Sequence, residues 1–150
     1  MPPLAVWGPP IWTLFHTLAA KIHEDKFNEI GGDMIAYIRK IARYLPCPDC
    51  SQHATNFFAS VPPHMFRTKA NFMKVLYVLH NHVNKRKNKL LFKLEGLNLY
   101  NNKNIIQVYN QFIVVYNTRG NMKLLTDTFQ RQMLTTEFKK WLMNNIKAFM

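Results

Sequence analysis

The residues of this chain most suited to chemistry are Cys47 and Cys50, its only two cysteines, which stand three positions apart. A Cys-x-x-Cys pair at the start of a helix can close a short disulfide, and the unpaired N–H groups there stabilise a thiolate. Pro46 precedes the pair and Pro48 follows Cys47. Proline is tolerated in the first helical positions because its missing N–H would have no partner there. Residues 44–50 therefore predict a turn that enters a helix with both sulfurs in its first turn.

Four kinds of site are compatible with one such pair. A thioredoxin-like site needs a preceding strand and a βαβ pattern, and no clear apolar–polar alternation flanks the pair. A zinc site needs four ligands, of which Cys47, Cys50 and His53 would supply three. Two inert, buried thiols are the structural alternative. The fourth reading is a redox disulfide that passes electrons to a bound cofactor, which requires a cofactor site elsewhere in the chain.

The composition predicts one domain with a proper core, since 48% of the 150 residues are hydrophobic and 13% are aromatic. The sequence has no run of about twenty apolar residues, and its start lacks a basic region followed by an apolar run. We therefore expect no membrane span and no signal peptide, and a cytosol-like compartment. Two cysteines at this spacing there indicate catalysis or metal binding rather than a structural framework.

The formal net charge of +12 indicates either a solvated basic surface or attraction to anions. Such anions include nucleic acid, membrane surfaces, acidic partners and cofactor phosphates. The basic residues are widely spread apart from 85–87 and Lys89. This distribution favours a local anion site and disfavours an extended nucleic-acid face.

Two helices are predicted before the cysteines. Residues 7–10, Trp-Gly-Pro-Pro, predict a turn followed by a proline-initiated helix, and Asp33 predicts the N-cap of the second helix. The apolar stripes that define the two helices are Ile11, Leu14, Phe15, Leu18 and Ile22, then Met34, Ile38, Ile41 and Leu45. Trp12 and His16 lie one turn apart beside the first stripe. They are either a core aromatic with a hydrogen-bonded histidine or a stacking surface for a planar ligand.

A third helix is predicted from Cys47 to about Ala59, ended by the prolines at 62–63, and Thr68 predicts the N-cap of a fourth. The buried face of the fourth helix comprises Phe72, Val75, Leu76, Leu79 and Val83. His80 and Asn84 share a neighbouring face.

Three asparagines, Asn81, Asn84 and Asn88, add a polar track next to the basic cluster. Asparagine has a mediocre helix propensity, so its repetition here indicates hydrogen bonding to a ligand with bases and phosphates. A frayed, basic helix end is the alternative.

The C-terminal third predicts further helices. Residues 90–102 form a less regular connection, and a fifth helix is expected over 104–117, although 112–116 is also compatible with a strand. Its inward face comprises Ile105, Tyr109, Phe112, Ile113 and Tyr116. Residues 119–121 predict a turn. Beyond it, one helix is indicated by Leu125, Phe129 and Met133, and another by Phe138, Trp141, Leu142, Ile146 and Phe149. The fold class is all-α, with four antiparallel helices and a helical C-terminal extension.

Three blocks of sequence carry a family resemblance. They are Trp-Gly-Pro-Pro-Ile-Trp at 7–12 with His16, Pro-Cys-Pro-Asp-Cys at 46–50, and His-Asn-His-Val-Asn at 80–84 with Lys85 and Lys89. Their order and separation resemble the Erv/ALR family of FAD-dependent sulfhydryl oxidases. The resemblance covers about residues 6–89, and the first two blocks look most like members from large DNA viruses.

The resemblance implies an Erv-type four-helix bundle that holds FAD at one mouth, commonly as a homodimer. It implies an oxidase domain over residues 1–102, with residues 103–150 as a helical extension packed on it. The cofactor-binding residues that it implies are Gly8, Trp12, His16, His80, Asn81, Val83, Asn84, Lys85 and Lys89. Tyr109 is a weaker candidate for a flavin neighbour. No metal is implied.

The implied reaction oxidises thiols to disulfides. A substrate dithiol would attack the disulfide at Cys47, the more accessible sulfur, and a second thiolate would release the oxidised substrate. Cys50 would lie next to the flavin and reduce it, and O2 would reoxidise the flavin to give H2O2. The partners would be a dithiol protein or a thioredoxin-like relay protein. The location would be the host cytoplasm or the virion if the protein is viral.

The chain departs from the family pattern in three ways. It has no second Cys-x-x-Cys pair to shuttle electrons, and it lacks the structural disulfide of many members. Residues 21–22, Lys-Ile, stand where cellular members often carry aromatic residues. Two other functions stay open: a flavin-binding homologue with reduced catalysis, and a basic helical adaptor in assembly that binds nucleic acid or an acidic partner.

Overall fold

The computed structural model describes residues 4–117 and 125–150. Within these ranges every regular element is helical, which confirms the all-α prediction. The α-helices are α1 (Leu4–Lys21), α2 (Glu24–Arg43), α3 (Pro48–Ser60), α4 (Lys69–Arg86), α5 (Ile105–Tyr116) and α6 (Leu125–Asn144). Short 3-10 helices span Pro63–Phe66, Leu94–Asn102 and Ile146–Phe149. None of these helices is long and apolar enough to cross a membrane.

Helix α1 lies at the centre of the fold, packed against α4, α5 and the 3-10 helix Leu94–Asn102. All five residues of its predicted stripe are buried. The predicted turn at residues 7–10 is wrong, because the helix begins at Leu4 and continues through Pro9 and Pro10. Both prolines lie in the second turn of the helix, so each removes one backbone hydrogen bond to the carbonyl four residues earlier.

Helix α2 also begins earlier than predicted. Its N-cap is His23, and Asp33 lies exposed within the helix, so the predicted cap is wrong. The start is fixed by tertiary contacts, since the His23 N–H donates to Ala148 O at 3.0 Å and His23 Nε2 lies 2.7 Å from Met150 O. Gly31 continues the helix because Phe27 packs over it: a Cβ there would lie 2.8 Å from that ring.

The caps of α4 and α5 follow the sequence closely. Thr68 caps α4, and its Oγ1 accepts a hydrogen bond from the Asn71 N–H at 3.1 Å, as predicted. Asn104 caps α5, accepting bonds from the N–H groups of Ile106 and Gln107. The segment 112–116 is therefore helical, and its reading as a strand is wrong.

The C-terminal segment forms a single long helix, α6, where two helices were predicted. Phe129 and Met133 are exposed, and the first half of the helix instead buries Thr128, Arg131, Leu134 and Thr135. Phe138, Leu142 and Phe149 are buried as predicted. Apolar spacing failed to identify the packed side in the first half because polar groups occupy that side. The predicted turn at 119–121 lies outside the described residues.

The C-terminal helices supply hydrogen-bond donors to the end of α2, where unpaired carbonyls need partners. The hydroxyl of Tyr116 on α5 donates to Ile41 O at 2.9 Å. The buried guanidinium of Arg131 on α6 donates to Tyr44 O at 3.4 Å and to Thr128 Oγ1 at 3.1 Å. Both contacts lie immediately before the cysteines, so the C-terminal segment supports the turn that carries them.

We expect Tyr116→Phe to lower the free energy of unfolding by about 1 kcal/mol, because it removes a buried hydroxyl donor from a helix terminus. Urea unfolding followed by circular dichroism measures the loss. Tyr109→Phe is the matched control, since Tyr109 is buried nearby and no side-chain hydrogen bond involves its hydroxyl among the described residues. Equal losses in the two variants would contradict the capping role.

Candidate functional site

The two cysteines form the N-terminal turn of α3, as the sequence predicts. Cys47 is the N-cap, and its Sγ accepts a hydrogen bond from the Cys50 N–H at 3.3 Å. The two thiols are unbonded, and Cys50 Sγ donates to Cys47 Sγ across 2.6 Å. The pair is therefore placed to interconvert between dithiol and disulfide with little backbone movement.

Ser51 holds this turn to the preceding chain. Its buried Oγ accepts a hydrogen bond from the Leu45 N–H at 2.7 Å and lies 3.4 Å from Leu45 O. The Ser51 hydroxyl thus pairs both backbone groups of a buried residue between α2 and α3. This contact fixes the position of Cys47 relative to α2.

The two sulfurs differ in electrostatic environment. Burial, followed by the hydrogen bond and charge of Cys47, raises the pKa of the Cys50 thiol. The expected stabilisation of a thiolate at this helix start therefore does not hold for Cys50. The Cys50 N–H is directed at Cys47 Sγ instead.

An apolar cavity lies beside Cys50. Cys47 does not line it. The lining residues come from α1, α2, α3 and α4 and are Trp7, Gly8, Ile11, Trp12, Phe15, Ala42, Leu45, Cys50, Ala54, Leu79, Val83, Arg86 and Lys87. The cavity is thus an apolar pocket with one thiol in its wall and two cations at its edge.

A second, more polar cavity adjoins the first. It is lined by Gly8, Pro9, Trp12, Thr13, His80, Val83, Asn84, Lys89 and Tyr100. Gly8, Trp12 and Val83 line both cavities. The two spaces therefore form one elongated site with an apolar end at Cys50 and a polar end at Lys89.

Aromatic rings are stacked at the junction of α1 and α4. The rings of Trp12 and His80 are stacked 4.2 Å apart at an angle of 9°. His16 Nε2 lies 3.0 Å from His80 Nδ1, and the ring of Tyr100 stacks on His16 at 4.8 Å. Trp12 and His80 touch directly, so a planar ligand fits beside their stack and not between them.

Both histidines of this stack are held neutral. Burial, followed by His80, lowers the pKa of His16 to about 3. Burial, followed by the positive charge of Lys89, lowers the pKa of His80 to about 4. At neutral pH one ring nitrogen of the pair donates its proton and the other accepts it.

Six of the nine predicted cofactor residues line the elongated site: Gly8, Trp12, His80, Val83, Asn84 and Lys89. His16 lies behind His80, and Lys85 lines neither cavity. The amide of Asn81 pairs with the backbone of Phe92, as Nδ2 donates to Phe92 O at 2.9 Å and Oδ1 accepts from its N–H at 2.6 Å. This pairing holds the connection after α4 against the helix.

Asn88 ends α4 instead of extending the polar track. Its φ of 56° is left-handed, and the Lys89 N–H donates to Asn84 O at 2.8 Å. This is the pattern of a helix C-cap, for which asparagine is suited. The reversal returns Lys89 to the polar cavity.

The sequence analysis did not identify several residues of the site. Thr13 and Tyr100 line the polar cavity, while Arg86 and Lys87 line the apolar one. Thr13 follows Trp12 directly, and Arg86 and Lys87 belong to the basic cluster seen in the sequence. These three residues could therefore have been predicted from their neighbours in the chain. Tyr100 lies in the 3-10 helix Leu94–Asn102, and no apolar periodicity in the sequence indicates that this segment reaches the site.

Tyr109, the weaker candidate, packs against Phe112 and Phe138 and lines neither cavity. In residues 4–117 and 125–150 no group of three or more His, Cys, Asp or Glu side chains is placed to hold a metal ion. His53 lies instead 3.6 Å from the carboxylate of Asp49.

Comparison with known families identifies the chain's relatives. The model of the Erv1/Alr family matches residues 9–110, which include both cysteines and most of the elongated site. The chain belongs to the Erv1/Alr family. The match confirms the resemblance found in the sequence, and it ends within α5.

Relatives in this family come from plants and from a large DNA virus. The chain is 31% identical over 88 residues to the FAD-linked sulfhydryl oxidase ERV1 of Arabidopsis thaliana, covering 59% of this chain and 46% of that protein. It is 28% identical over 91 residues to the rice protein of the same name, covering 61% and 46% of the two chains.

The FAD-linked sulfhydryl oxidase of African swine fever virus, isolate Tick/Malawi/Lil 20-1/1983, is 28% identical over 95 residues, covering 63% of this chain and 79% of the viral one. The match to this chain spans about half the length of the plant relatives. No solved structure matches the chain.

The neutral histidine pair predicts loss of stability in mild acid. Because the folded pKa values lie below 6.5, the unfolded chain binds more protons as pH falls. The free energy of unfolding should therefore fall as the pH is lowered from 6.5 towards 4, by up to about 1.4 kcal/mol per pH unit for each histidine. Urea unfolding at several pH values measures this slope.

The matched variants are His16→Asn and His64→Asn, since His64 is an exposed histidine outside the site. His16→Asn should reduce the slope and His64→Asn should leave it unchanged. An unchanged slope in His16→Asn would show that this pair is not the source of acid sensitivity.

Proposed function

We propose that the protein is an FAD-linked sulfhydryl oxidase that converts protein dithiols to disulfides. The observation that carries this proposal is the position of Cys50, which lies in the wall of the apolar cavity while its partner Cys47 lies outside it. Such a redox pair can accept electrons at Cys47, outside the cavity, and deliver them at Cys50, which lines the cavity.

The site suits the chemical groups of FAD. The apolar cavity offers aliphatic and aromatic surface for the isoalloxazine ring, next to the Cys50 sulfur. The polar cavity offers the Asn84 amide, the Thr13 and Tyr100 hydroxyls and the Lys89 ammonium for the ribose hydroxyls and phosphates. The stacked rings of Trp12 and His80 offer a flat face for adenine.

Three further predicted residues act more indirectly in this proposal. His16 orients the His80 ring through the 3.0 Å contact between their ring nitrogens. Asn81 holds residue 92 and with it the segment that carries Tyr100. Lys85 contributes positive charge near the phosphates from outside the two cavities.

Thiol exchange starts at Cys47 in this proposal. A substrate thiolate attacks Cys47 Sγ of the Cys47–Cys50 disulfide, forming a mixed disulfide and releasing Cys50 as a thiolate. A second thiolate of the substrate attacks the substrate's own sulfur in that mixed disulfide. The oxidised substrate leaves, and the pair of cysteines has gained two electrons.

Cys50 then delivers these electrons inside the cavity. Bound FAD supplies the two-electron acceptor and the means of reducing O2 to H2O2. Burial raises the pKa of the Cys50 thiol, so this sulfur is protonated at neutral pH in the reduced pair. The nearby Lys87 favours the thiolate and so assists its deprotonation.

The 150 residues contain no second Cys-x-x-Cys pair. We propose that Cys47 accepts electrons directly from a dithiol protein or receives them from a thioredoxin-like relay protein. We also propose a homodimer, and a location in the host cytoplasm or virion if the protein is viral. In this proposal residues 1–102 form an oxidase domain and residues 103–150 an extension.

Visible absorption tests the cofactor and the electron path together. We expect the protein, purified with FAD, to show an oxidised flavin spectrum that bleaches when dithiothreitol is added without air. A flavin that stays oxidised would contradict the connection through Cys50. No flavin binding at all would overturn the proposed cofactor.

Cys50→Ser should reduce thiol-dependent oxygen consumption by more than about a thousandfold, since the two sulfurs act as a unit. The fold should be retained, because serine has nearly the same shape. Oxygen-electrode assays measure the loss, and circular dichroism checks the fold. Ser60→Ala on the exposed far end of α3 is the control, and activity retained in Cys50→Ser would refute the role of this sulfur.

Lys89→Met should weaken FAD binding by about tenfold, or about 1.4 kcal/mol, because it removes a cation from the polar cavity. Lys93→Met is the matched control, since Lys93 is exposed and lines neither cavity. Flavin fluorescence titration of the apoprotein measures both affinities. Equal affinities for FAD in the two variants would show that the FAD phosphates do not bind next to Lys89.

A further inference from the structure

A basic groove between α2 and α3 is defined by Arg39, Lys40, Arg43, Thr55 and Phe58. Its lining contains no acidic side chain. Arg43 is the last residue of α2, four residues before Cys47. Four residues of chain span at most about 14 Å, so the groove begins within reach of a substrate bound at Cys47.

The cations of the basic groove have no carboxylate partner. None of the ion pairs among residues 4–117 and 125–150 includes Arg39, Lys40 or Arg43, whereas Arg86 pairs with Asp49 and Lys26 with Glu29. All three groove cations are exposed. Unpaired cations in a concave surface attract negative charge over several ångströms and raise the rate of encounter with an acidic partner.

One end of the basic groove is held in place by Arg39. The Arg39 guanidinium lies 5.8 Å from the Phe58 ring centroid and 5.4 Å from that of Phe66, on the far side of the groove from the cysteines. Lys40 and Arg43 continue into a second depression formed with Tyr44 and residues of α6, where Glu137 is the single acidic side chain. The positive surface is therefore continuous beside the turn that carries Cys47.

We propose that the basic groove docks an acidic segment of the substrate polypeptide, next to the dithiol that reacts at Cys47. This inference rests on the proposed oxidase function and specifies its substrate class. An extended segment advances about 3.3 Å per residue, so acidic residues four to seven positions from the reactive cysteine would reach Lys40 and Arg43. The cysteine pair then selects substrates by the charge around their dithiol.

Two dithiol peptides test the proposal with the FAD-loaded protein. They share a Cys-x-x-Cys core and carry either four glutamates or four lysines at the positions named above. We expect kcat/KM from oxygen consumption to be about tenfold higher for the acidic peptide at low salt, and the difference to shrink as salt screens the groove. Equal values for the two peptides would overturn the proposal.

The variant pair Lys40→Glu/Arg43→Glu should lower kcat/KM for the acidic peptide by at least about tenfold and leave dithiothreitol oxidation unchanged. The matched control is Lys103→Glu/Lys147→Glu, which changes the net charge equally. These two lysines lie at the opposite end of α1, near Asn101 and Ala148, which contact Lys21 and His23. Equal losses of kcat/KM in both variants would show an effect of net charge and would overturn the proposed docking role of the basic groove.

A binding measurement separates this proposal from the oxidase function. The acidic peptide with serines for its cysteines, labelled with a fluorophore, should bind by anisotropy and lose binding in Lys40→Glu/Arg43→Glu. The binding measurement does not require turnover, so it tests the basic groove separately. Failure of the protein to oxidise dithiothreitol would contradict the oxidase function and would not test the groove. If the variant keeps the peptide but loses labelled single-stranded DNA, the groove is a nucleic-acid surface and the proposal is wrong.

Discussion

The site depends on how the chain satisfies its backbone groups between α2 and α3. A helix end leaves carbonyls without partners, and a buried turn adds further unpaired groups. The Ser51 hydroxyl pairs with Leu45, the Tyr116 hydroxyl with Ile41, and Arg131 with Tyr44. These three contacts come from three different helices and converge within a few residues of Cys47. The geometry of the sulfurs is therefore a property of the whole fold.

The same turn places the two sulfurs in different surroundings. Cys47 accepts the Cys50 N–H and lies outside the apolar cavity, while Cys50 lines that cavity and has a raised pKa. The neutral histidines beside the second cavity add no positive charge of their own, which leaves Lys89 as the cation lining that end. The elongated site is thus apolar where Cys50 lines it, and polar and positively charged where Lys89 lines it.

Local sequence signals predicted what local interactions determine. The cap at Thr68, the proline-marked turn before Cys47 and the buried stripe of α1 need only neighbours in the chain, and the structure agrees with them. Tertiary contacts decided the rest. Helix α2 starts at His23 because the C-terminus pairs with it, and α6 buries Arg131 while Phe129 stays exposed. Tyr100 lies in the 3-10 helix Leu94–Asn102, and no periodicity in the sequence indicates that this helix reaches the site.

The contacts from Tyr116 and Arg131 have a consequence for biosynthesis. The cysteines precede Tyr116 and Arg131, which fix their turn, so these two groups are synthesised later than the thiols. N-terminal segments emerge and begin to fold before such late residues exist. A nascent chain therefore carries both thiols before it can hold them in their final geometry. The final geometry of the cysteine turn is in this way tied to completion of α6.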